Sequence, residues 1–288
     1  MEKRLILRGL LCGALAGLLA FAFARIFAEP QIDKAIAFEE GRGEAQLALD
    51  AAAGLAVPPE EGAVFTRAVQ ADVGLGIGIV ALAIALGGLY AVAFSLAYGR
   101  VGATRARALA LYLALGGFLT VYFVPFLKYP ASPPAVGDDE TIEQRGILYL
   151  SMVLASVALG ILAVWFGRWL RTRHSTWTAT LLAGAAFLVA VAVLIAVLPS
   201  FGSLSVGSPE TETPGPLLDP GGNIVYEAFP ADVLYFFRLY SVGAQVILWG
   251  ALGLAFGPLA ARLLEPAAGR ARAGVPAAQA DPVAGSAS

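Results

Sequence analysis

The sequence predicts an all-α membrane protein with six spans, and three observations support that prediction. Apolar residues make up 58% of the chain and charged residues only 14%, well below the roughly 25% charged residues of soluble domains. Six apolar stretches are each long enough to cross a bilayer, because a helix needs about 20 residues to span a hydrocarbon core of about 30 Å. The charge of the gaps between these stretches alternates in sign. The predicted spans are 5–27, 73–98, 108–127, 146–167, 177–198 and 233–261.

The alternating charge also predicts how the chain crosses the membrane. The N-terminus, the second and fourth gaps and the C-terminal tail carry 12 of the 19 Lys and Arg residues but only 3 acidic residues. The segments 28–72, 128–145 and 199–232, with the span ends beside them, carry 7 basic and 18 acidic residues. Because Lys and Arg accumulate on the cytoplasmic side, we expect both termini in the cytoplasm and an acidic outer cap.

The first span, 5–27, follows a basic N-terminus and resembles a secretory signal in that respect. Its apolar run is long for the apolar region of a signal peptide, so we expect it to remain as a span. Gly9, Gly13 and Gly17 recur every four residues, a spacing that favours close packing of two helices. We interpret these glycines as packing residues within the bundle.

The segment after the first span is predicted to form an outer helix over 30–57. Pro30 suits its first turn and Pro58-Pro59 ends it, while Glu29 is expected to be extended because a proline follows it. The carboxylates of this region are either a solvated acidic face or a surface that concentrates cations and coordinates a divalent metal. The candidate metal ligands are Glu29, Asp33, Glu39 and Glu40.

The two later outer gaps differ in composition. The segment 128–145 contains three prolines, which predict a rigid, extended crossing. The segment 199–232 is rich in Gly, Pro and Ser, which predicts an irregular loop. We expect residues 1–265 to form a single transmembrane domain and residues 266–288 a disordered cytoplasmic tail.

Polar residues within or beside the spans are further candidates, because lipid makes them costly. They either pair with carboxylates and carbonyls of the outer segments or line a polar vestibule leading into the bundle. These pathway candidates are Gln70, Arg145, Arg238 and Gln245.

Enzyme motifs are missing from the sequence. It has no Walker A, His-Glu-x-x-His or Cys-x-x-Cys motif, one histidine (His174) and one cysteine (Cys12). We therefore predict neither an enzyme nor a resident cofactor, and no basic arm suggests nucleic-acid binding. Membrane lipid is the expected surrounding.

Several stretches together resemble the CbtA family of predicted cobalt transporter subunits over nearly the whole chain. The most specific is the proline-rich run LKYPASPPAVG, and the others include the segment around Glu29-Pro30, the RAVQ run ending at Gln70, and the segment from Arg238 to Gln245. The matching stretches are 7–9, 23–30, 35–40, 67–70, 127–137, 140–142, 145, 237–239, 245, 248–249 and 253–257.

The resemblance implies uptake of Co²⁺ in the bacterial inner membrane, linked to cobalamin metabolism. It also implies a small one-span partner, CbtB, with a His-rich metal site. Many relatives carry a His-rich stretch in the first outer loop, whereas 41–62 has no histidine here, so carboxylates are left as the outer ligands. Two alternatives stay open: a non-transporting scaffold or assembly subunit, and a permease for an anionic organic solute or cobalamin precursor that uses Arg145 and Arg238.

Overall fold

The computed structural model describes residues 2–55, 66–137, 141–200 and 213–265. Within these ranges, six helical stretches are long and apolar enough to cross a membrane, which confirms the six predicted apolar helices. They are Glu2–Ala52, Val69–Ala97, Ala106–Lys128, Ile142–Leu170, Thr176–Val197 and Ala231–Leu264. The predicted tail 266–288 lies outside the described residues.

Eight α-helices and two short strands make up the described chain, and three π-helical segments lie next to the helices. The helices are α1 (Glu2–Phe23), α2 (Glu29–Ala52), α3 (Leu75–Ala97), α4 (Ala106–Gly117), α5 (Val124–Lys128), α6 (Ile142–Leu170), α7 (Thr176–Val197) and α8 (Ala231–Leu264). The strands are β1 (Leu217–Leu218) and β2 (Ile224–Tyr226), and the π-helical segments are Ala24–Ala28, Val69–Gly74 and Phe118–Phe123.

The first span and the outer helix form one continuous helix of 51 residues, so the predicted break around Glu29 is wrong. Glu29 has helical dihedrals (φ −57°, ψ −42°). A proline within a helix lacks an N–H donor and crowds the carbonyl four residues earlier. The π-helical segment Ala24–Ala28 changes the hydrogen-bond register immediately before Pro30, which lets the helix continue. The helix ends at Ala52, earlier than predicted, and Gly54 follows with φ +74°.

The core is formed by α1, α3, α4 and α8, whose buried side chains make up one cluster. The α1 glycines face α3: a Cβ on Gly13 would overlap the carbonyl of Ala83, and a Cβ on Gly87 would overlap the carbonyl of Gly9. The backbones of the two helices are therefore in direct contact, as the glycine spacing predicts. The helix α3 also contacts α8, where Phe256 packs edge-on against Phe94 of α3 with ring centroids 5.1 Å apart.

The helices α6 and α7 form a peripheral pair. Only 11% of the residues in the most apolar window of each are buried, against 44% in α8. Their shared cluster contains Met152 of α6 and Val191 of α7. The side chain of Ser156 on α6 is buried and donates a hydrogen bond to the carbonyl of Thr120, in the π-helical segment Phe118–Phe123. This bond ties the peripheral pair to the core.

The bundle has two ends with different contacts. One end, which we call the terminal end, contains the start of α1 and the end of α8. Here Arg8 donates to the carbonyl of Leu259, and the backbone N–H of Ala106 donates to Glu265 (2.8 Å). At the opposite end, which we call the cap end, α2 packs on the loop 129–137 and on the chain leading into α8. Their cluster is centred on Ala35, Phe38, Val136, Phe229 and Val233.

Part of the segment predicted as an irregular loop is instead an antiparallel hairpin. Leu218 of β1 pairs with Ile224 of β2. The carboxylate of Asp219 closes the turn by accepting from the backbone and side-chain N–H groups of Asn223, at 2.8 and 2.9 Å. The sequence analysis missed these strands because they are only two and three residues long. Alternation of apolar and polar residues is recognisable only over four residues or more.

Candidate site at the cap end

The cap end contains ion pairs that join the first helix to the chain entering α3. Arg67 forms a close ion pair with Glu29 and a second one with Asp33 at 3.0 Å. Arg25 pairs with Asp72 at 2.6 Å. The side chain of Glu29 is 2% exposed, whereas the Arg25 and Asp72 side chains are 43% and 57% exposed. Glu29 is therefore the buried group of the network, and its partner Arg67, with 33% of its side chain exposed, reaches the surface.

The structure separates the four predicted metal ligands. Glu29 is buried against Arg67, so its predicted place on a solvated acidic surface is wrong, while Asp33, Glu39 and Glu40 are exposed on α2. Glu29 and Glu40 are eleven positions apart on a helix, a distance of about 16 Å, too far for both to be ligands of one ion. Within the described ranges, no group of three His, Cys, Asp or Glu side chains could hold a metal ion. Cation binding by the exposed carboxylates stays a prediction.

The loop 129–137 is not extended throughout, so the predicted extended crossing is wrong for part of it. The N–H of Val136 donates to the carbonyl of Pro133 (3.3 Å), which closes a turn in which Ala135 has φ +63°.

Side chains anchor the loop on several sides. The hydroxyl of Tyr129 donates to the carbonyl of Pro199 at 2.7 Å, and Nε of Arg238 donates to the carbonyl of Ala131 at 3.2 Å. Burial raises the pKa of Tyr129, so this hydroxyl keeps its proton. Gly137 has φ +114°, and a Cβ there would overlap the guanidinium of Arg145. The loop and the two arginines are therefore fitted to one another.

The structure brings two of the four predicted pathway residues to one loop, and a pathway through all four stays a prediction. Arg145 and Arg238 both contact the loop 129–137 and are half-buried. For Arg238, the expected carbonyl partner is the carbonyl of Ala131. Gln70 is exposed in the π-helical segment Val69–Gly74, and Gln245 is half-buried farther along α8. Neither glutamine lines the cavities at the cap end.

Two cavities flank the side chain of Phe126 on α5. One, of about 360 Å³, is a largely apolar groove along α8 that contains Arg238. The other, of about 290 Å³, lies between α6 and α5, beneath the start of the loop 129–137. Its lining residues are Tyr122, Phe126, Tyr129, Pro130, Ala131, Ser132, Arg145 and Tyr149.

The second cavity contains residues that the sequence analysis missed. The Tyr122 hydroxyl is buried and has no hydrogen-bond partner within the described part of the chain. Tyr149 faces the same cavity from α6. The sequence did contain a signal for these residues, since each of two apolar spans has a tyrosine, Tyr122 or Tyr149. A buried tyrosine hydroxyl normally has a hydrogen-bond partner, so a tyrosine within a span marks a position to inspect.

The comparisons with known proteins identify the family. The family model for CbtA, described as a probable cobalt transporter subunit, matches residues 2–261. No curated protein and no solved structure matches the chain. The family match includes all of the first five apolar helices and most of α8, as the resemblance of the proline-rich run predicts. The chain is therefore a multi-pass membrane protein that belongs to the CbtA family of probable cobalt transporter subunits.

Proposed function

We propose that this chain is the multi-span subunit of a cobalt uptake system in the bacterial inner membrane and that it supplies cobalamin metabolism. The observation that carries the proposal is the family match over residues 2–261, which includes nearly the whole transmembrane bundle. The cargo is Co²⁺, and the protein itself carries no resident cofactor in this account.

The proposed orientation places the cap end outside the cytoplasm. The excess of Lys and Arg in the segments of the terminal end supports it, because positive residues accumulate on the cytoplasmic side. In intact cells, a cysteine at Gln46 or Asn223 should react with a membrane-impermeant thiol reagent, and one at Thr104 or Thr172 should be protected. Native Cys12 is buried and serves as the background control. The reverse labelling pattern would overturn the orientation.

The exposed carboxylates of α2 are proposed to collect the cation before it enters the membrane. Asp33, Glu39 and Glu40 face solvent, and clustered negative charge raises the local concentration of a divalent cation. Glu29 is left out of this set because its side chain is only 2% exposed, whereas Asp33, which also pairs with Arg67, has a side chain 57% exposed. We assign Glu29 a structural part instead.

The triple variant Asp33→Asn/Glu39→Gln/Glu40→Gln tests this step. Its KM for Co²⁺ uptake should rise while the maximal rate stays near wild type. Added salt should weaken wild-type uptake more than uptake by the variant, because screening acts on a potential that the variant has lost. A matched control exchanges Glu2, at the terminal end, for Gln. An unchanged KM in the triple variant would reject the collecting surface.

A partner subunit is proposed to complete the metal site. The family description names a subunit, and within the described ranges no three ligand side chains are close enough to hold an ion. A small one-span protein with a His-rich segment, of the CbtB type, would supply imidazole ligands, which suit first-row transition metals. Co-purification of the two proteins from membranes, with cobalt retained only by the pair, is the expected result.

A scaffold role is the second candidate function. The same lack of a three-ligand group in the described chain favours it, since a scaffold needs no metal path of its own. Cobalt entry into vesicles that contain either the partner alone or both proteins distinguishes a transport role from a scaffold role. Cobalt entry that requires both proteins and responds to the triple carboxylate variant supports transport through this subunit. Entry that the carboxylates do not affect supports the scaffold.

A further inference from the structure

The terminal end carries a group of arginines that form no ion pairs within the described part of the chain. They lie at the turn between α3 and α4 and at the turn between α6 and α7, and neither 73–137 nor 144–209 contains an acidic residue. The carboxylate of Glu265 bonds to the start of α4. The arginines are Arg100, Arg105, Arg107, Arg168, Arg171 and Arg173.

The turn between α6 and α7 has a defined conformation. Arg168 donates to the carbonyl of Arg100, which joins this turn to the one between α3 and α4. The hydroxyl of Ser175 begins α7 by accepting from the backbone N–H of Thr178 at 3.2 Å. The guanidinium of Arg173 lies over the ring of Trp169, 4.8 Å from its centroid, within the range of a cation–π contact.

The charges of this turn favour a bound anion. Arg171 and Arg173 are exposed and come just before the first residue of α7. The N-terminus of a helix also carries a partial positive charge, and the first turn of α7 has no acidic residue to offset it. An anion from outside the chain would be attracted by both arginines and by the end of the helix.

An apolar stripe leads from this turn along the membrane-spanning part of α6. Leu162, Trp165 and Trp169 are exposed and are spaced by three and four residues, so they share one face of the helix. Tryptophan is typical of the boundary between lipid and water. A free phosphate would contact only the cations, whereas a phospholipid would contact the cations with its head and the stripe with its acyl chains.

We propose that the turn between α6 and α7 binds the phosphate head of an anionic phospholipid, with an acyl chain along the Leu162–Trp165–Trp169 face of α6. The exposed positive charge selects a lipid with a net negative head. This site concerns how the peripheral pair meets the membrane and does not depend on cobalt transport.

Phosphatidylglycerol is the probe, and phosphatidylcholine, whose choline cancels the phosphate charge, is the comparison. Each lipid is titrated into the purified full chain in an uncharged detergent, and native mass spectrometry measures the bound fraction. Wild type should bind phosphatidylglycerol at least about tenfold more tightly than phosphatidylcholine, because two arginines contribute to the attraction.

Three variants locate the binding. Arg171→Gln/Arg173→Gln should weaken phosphatidylglycerol binding by at least about tenfold. Lys3→Gln/Arg4→Gln also removes two exposed charges at the terminal end, and as the matched control it should bind like wild type. Trp169→Leu keeps an apolar side chain but loses the ring beneath Arg173, and it should weaken binding by about threefold. All of these side chains are exposed, so thermal stability without lipid should stay near wild type.

Two results of the lipid titrations would overturn the proposal. Equal binding of the two lipids by wild type would show that the turn does not select a negative head. Equal losses in the two double variants would show that only the overall charge matters. Glycerol phosphate, the head without acyl chains, is added as a competitor and should displace little lipid. Displacement as effective as that by phosphatidylglycerol itself would show a site for free phosphate and would also reject the lipid.

Discussion

The four-helix core and the peripheral pair are both apolar, yet they are held together by different kinds of contact. Between α1 and α3, the glycines bring backbone against backbone, with no room for a Cβ at Gly9 or Gly13. The contacts of the pair α6 and α7 with the rest of the bundle include the buried hydroxyl of Ser156, the guanidinium of Arg168, which donates to the carbonyl of Arg100, and apolar side chains around Met152. The backbone contact between α1 and α3 leaves no space for the helices to shift, whereas the side-chain contacts of α6 and α7 can adopt other rotamers.

The comparison indicates where the bundle can change shape. Tightly packed interfaces behave as rigid units, and movement in proteins occurs between such units. The cavity beside Tyr122 lies between α6 and α5, on the side of the bundle with the looser contacts.

The largest difference should come from the buried ion pair that joins the first helix to the chain entering α3. Arg67→Met leaves the buried carboxylate of Glu29 without its partner. The cost should be at most about 3 kcal/mol, the lower end for buried pairs, because the Arg67 side chain is 33% exposed and water reaches this side of the pair. Arg25→Met at the exposed pair with Asp72 should cost about 0.2–1 kcal/mol. Unfolding of the two variants in SDS measures the difference. Equal losses would show that burial of Glu29 does not determine its contribution.

The glycine interface should be the next most sensitive. Gly13→Ala places a methyl group against the Ala83 backbone, which has no flexible side chain to move away, and overpacking of this kind costs about 1–3 kcal/mol. Gly184→Ala on α7 meets open space and should stabilise the protein by about 0.5–1 kcal/mol through helix propensity. The sign of each change in the SDS-unfolding free energy checks the contrast. Destabilisation by both would remove the distinction between core and pair.

Loss of the hydrogen bond between α6 and the Thr120 carbonyl should lower the free energy of unfolding by a smaller amount. Ser156→Ala removes the hydrogen bond to the Thr120 carbonyl and should cost about 1 kcal/mol. The control is Ser95→Ala, which removes a bond to Ala91 within the same helix. Ser156→Ala alone should also increase the reactivity of a cysteine placed at Tyr149. If both variants behave alike, Ser156 does not hold the pair in place.

The smallest effect is expected at the hairpin of the cap end. The hydrogen bonds from Asn223 lower the pKa of Asp219 below the ordinary value of an aspartate. Stability from this turn is therefore fully present above the ordinary aspartate pKa and is lost as the pH falls through the lowered pKa. Protection of the Asn223 amide from hydrogen exchange, corrected for its intrinsic rate, should fall below about pH 4. In Asp219→Asn the protection should not change with pH, and a pH dependence retained in that variant would contradict the assignment.

The sequence predicts well the features that repeat along the chain. Six apolar stretches correspond to six helices because each run is long enough to cross a bilayer, and the four-residue spacing of Gly9, Gly13 and Gly17 predicted a close helix contact. These predictions depend on residues close together in the sequence.

The features that it misses depend on distant residues. Glu29 and Arg67 lie 38 residues apart, so nothing local shows that Glu29 is buried and paired. The π-helical segment that carries the first helix past Pro30 depends on hydrogen-bond register, which has no apolar period of its own. Likewise, the cavity beside Tyr122 needs side chains from α6, α5 and the loop 129–137. Only the fold brings them together.

The cobalt content of cells tests the central claim most directly. A strain that lacks other cobalt importers is grown at low external cobalt, with and without the gene for this chain. The account predicts that deletion lowers cobalt accumulation, that a plasmid copy of the wild-type gene restores it, and that a Gly13→Leu copy, which cannot form the α1–α3 contact, does not. Equal cobalt content with and without the gene would contradict a role in cobalt transport.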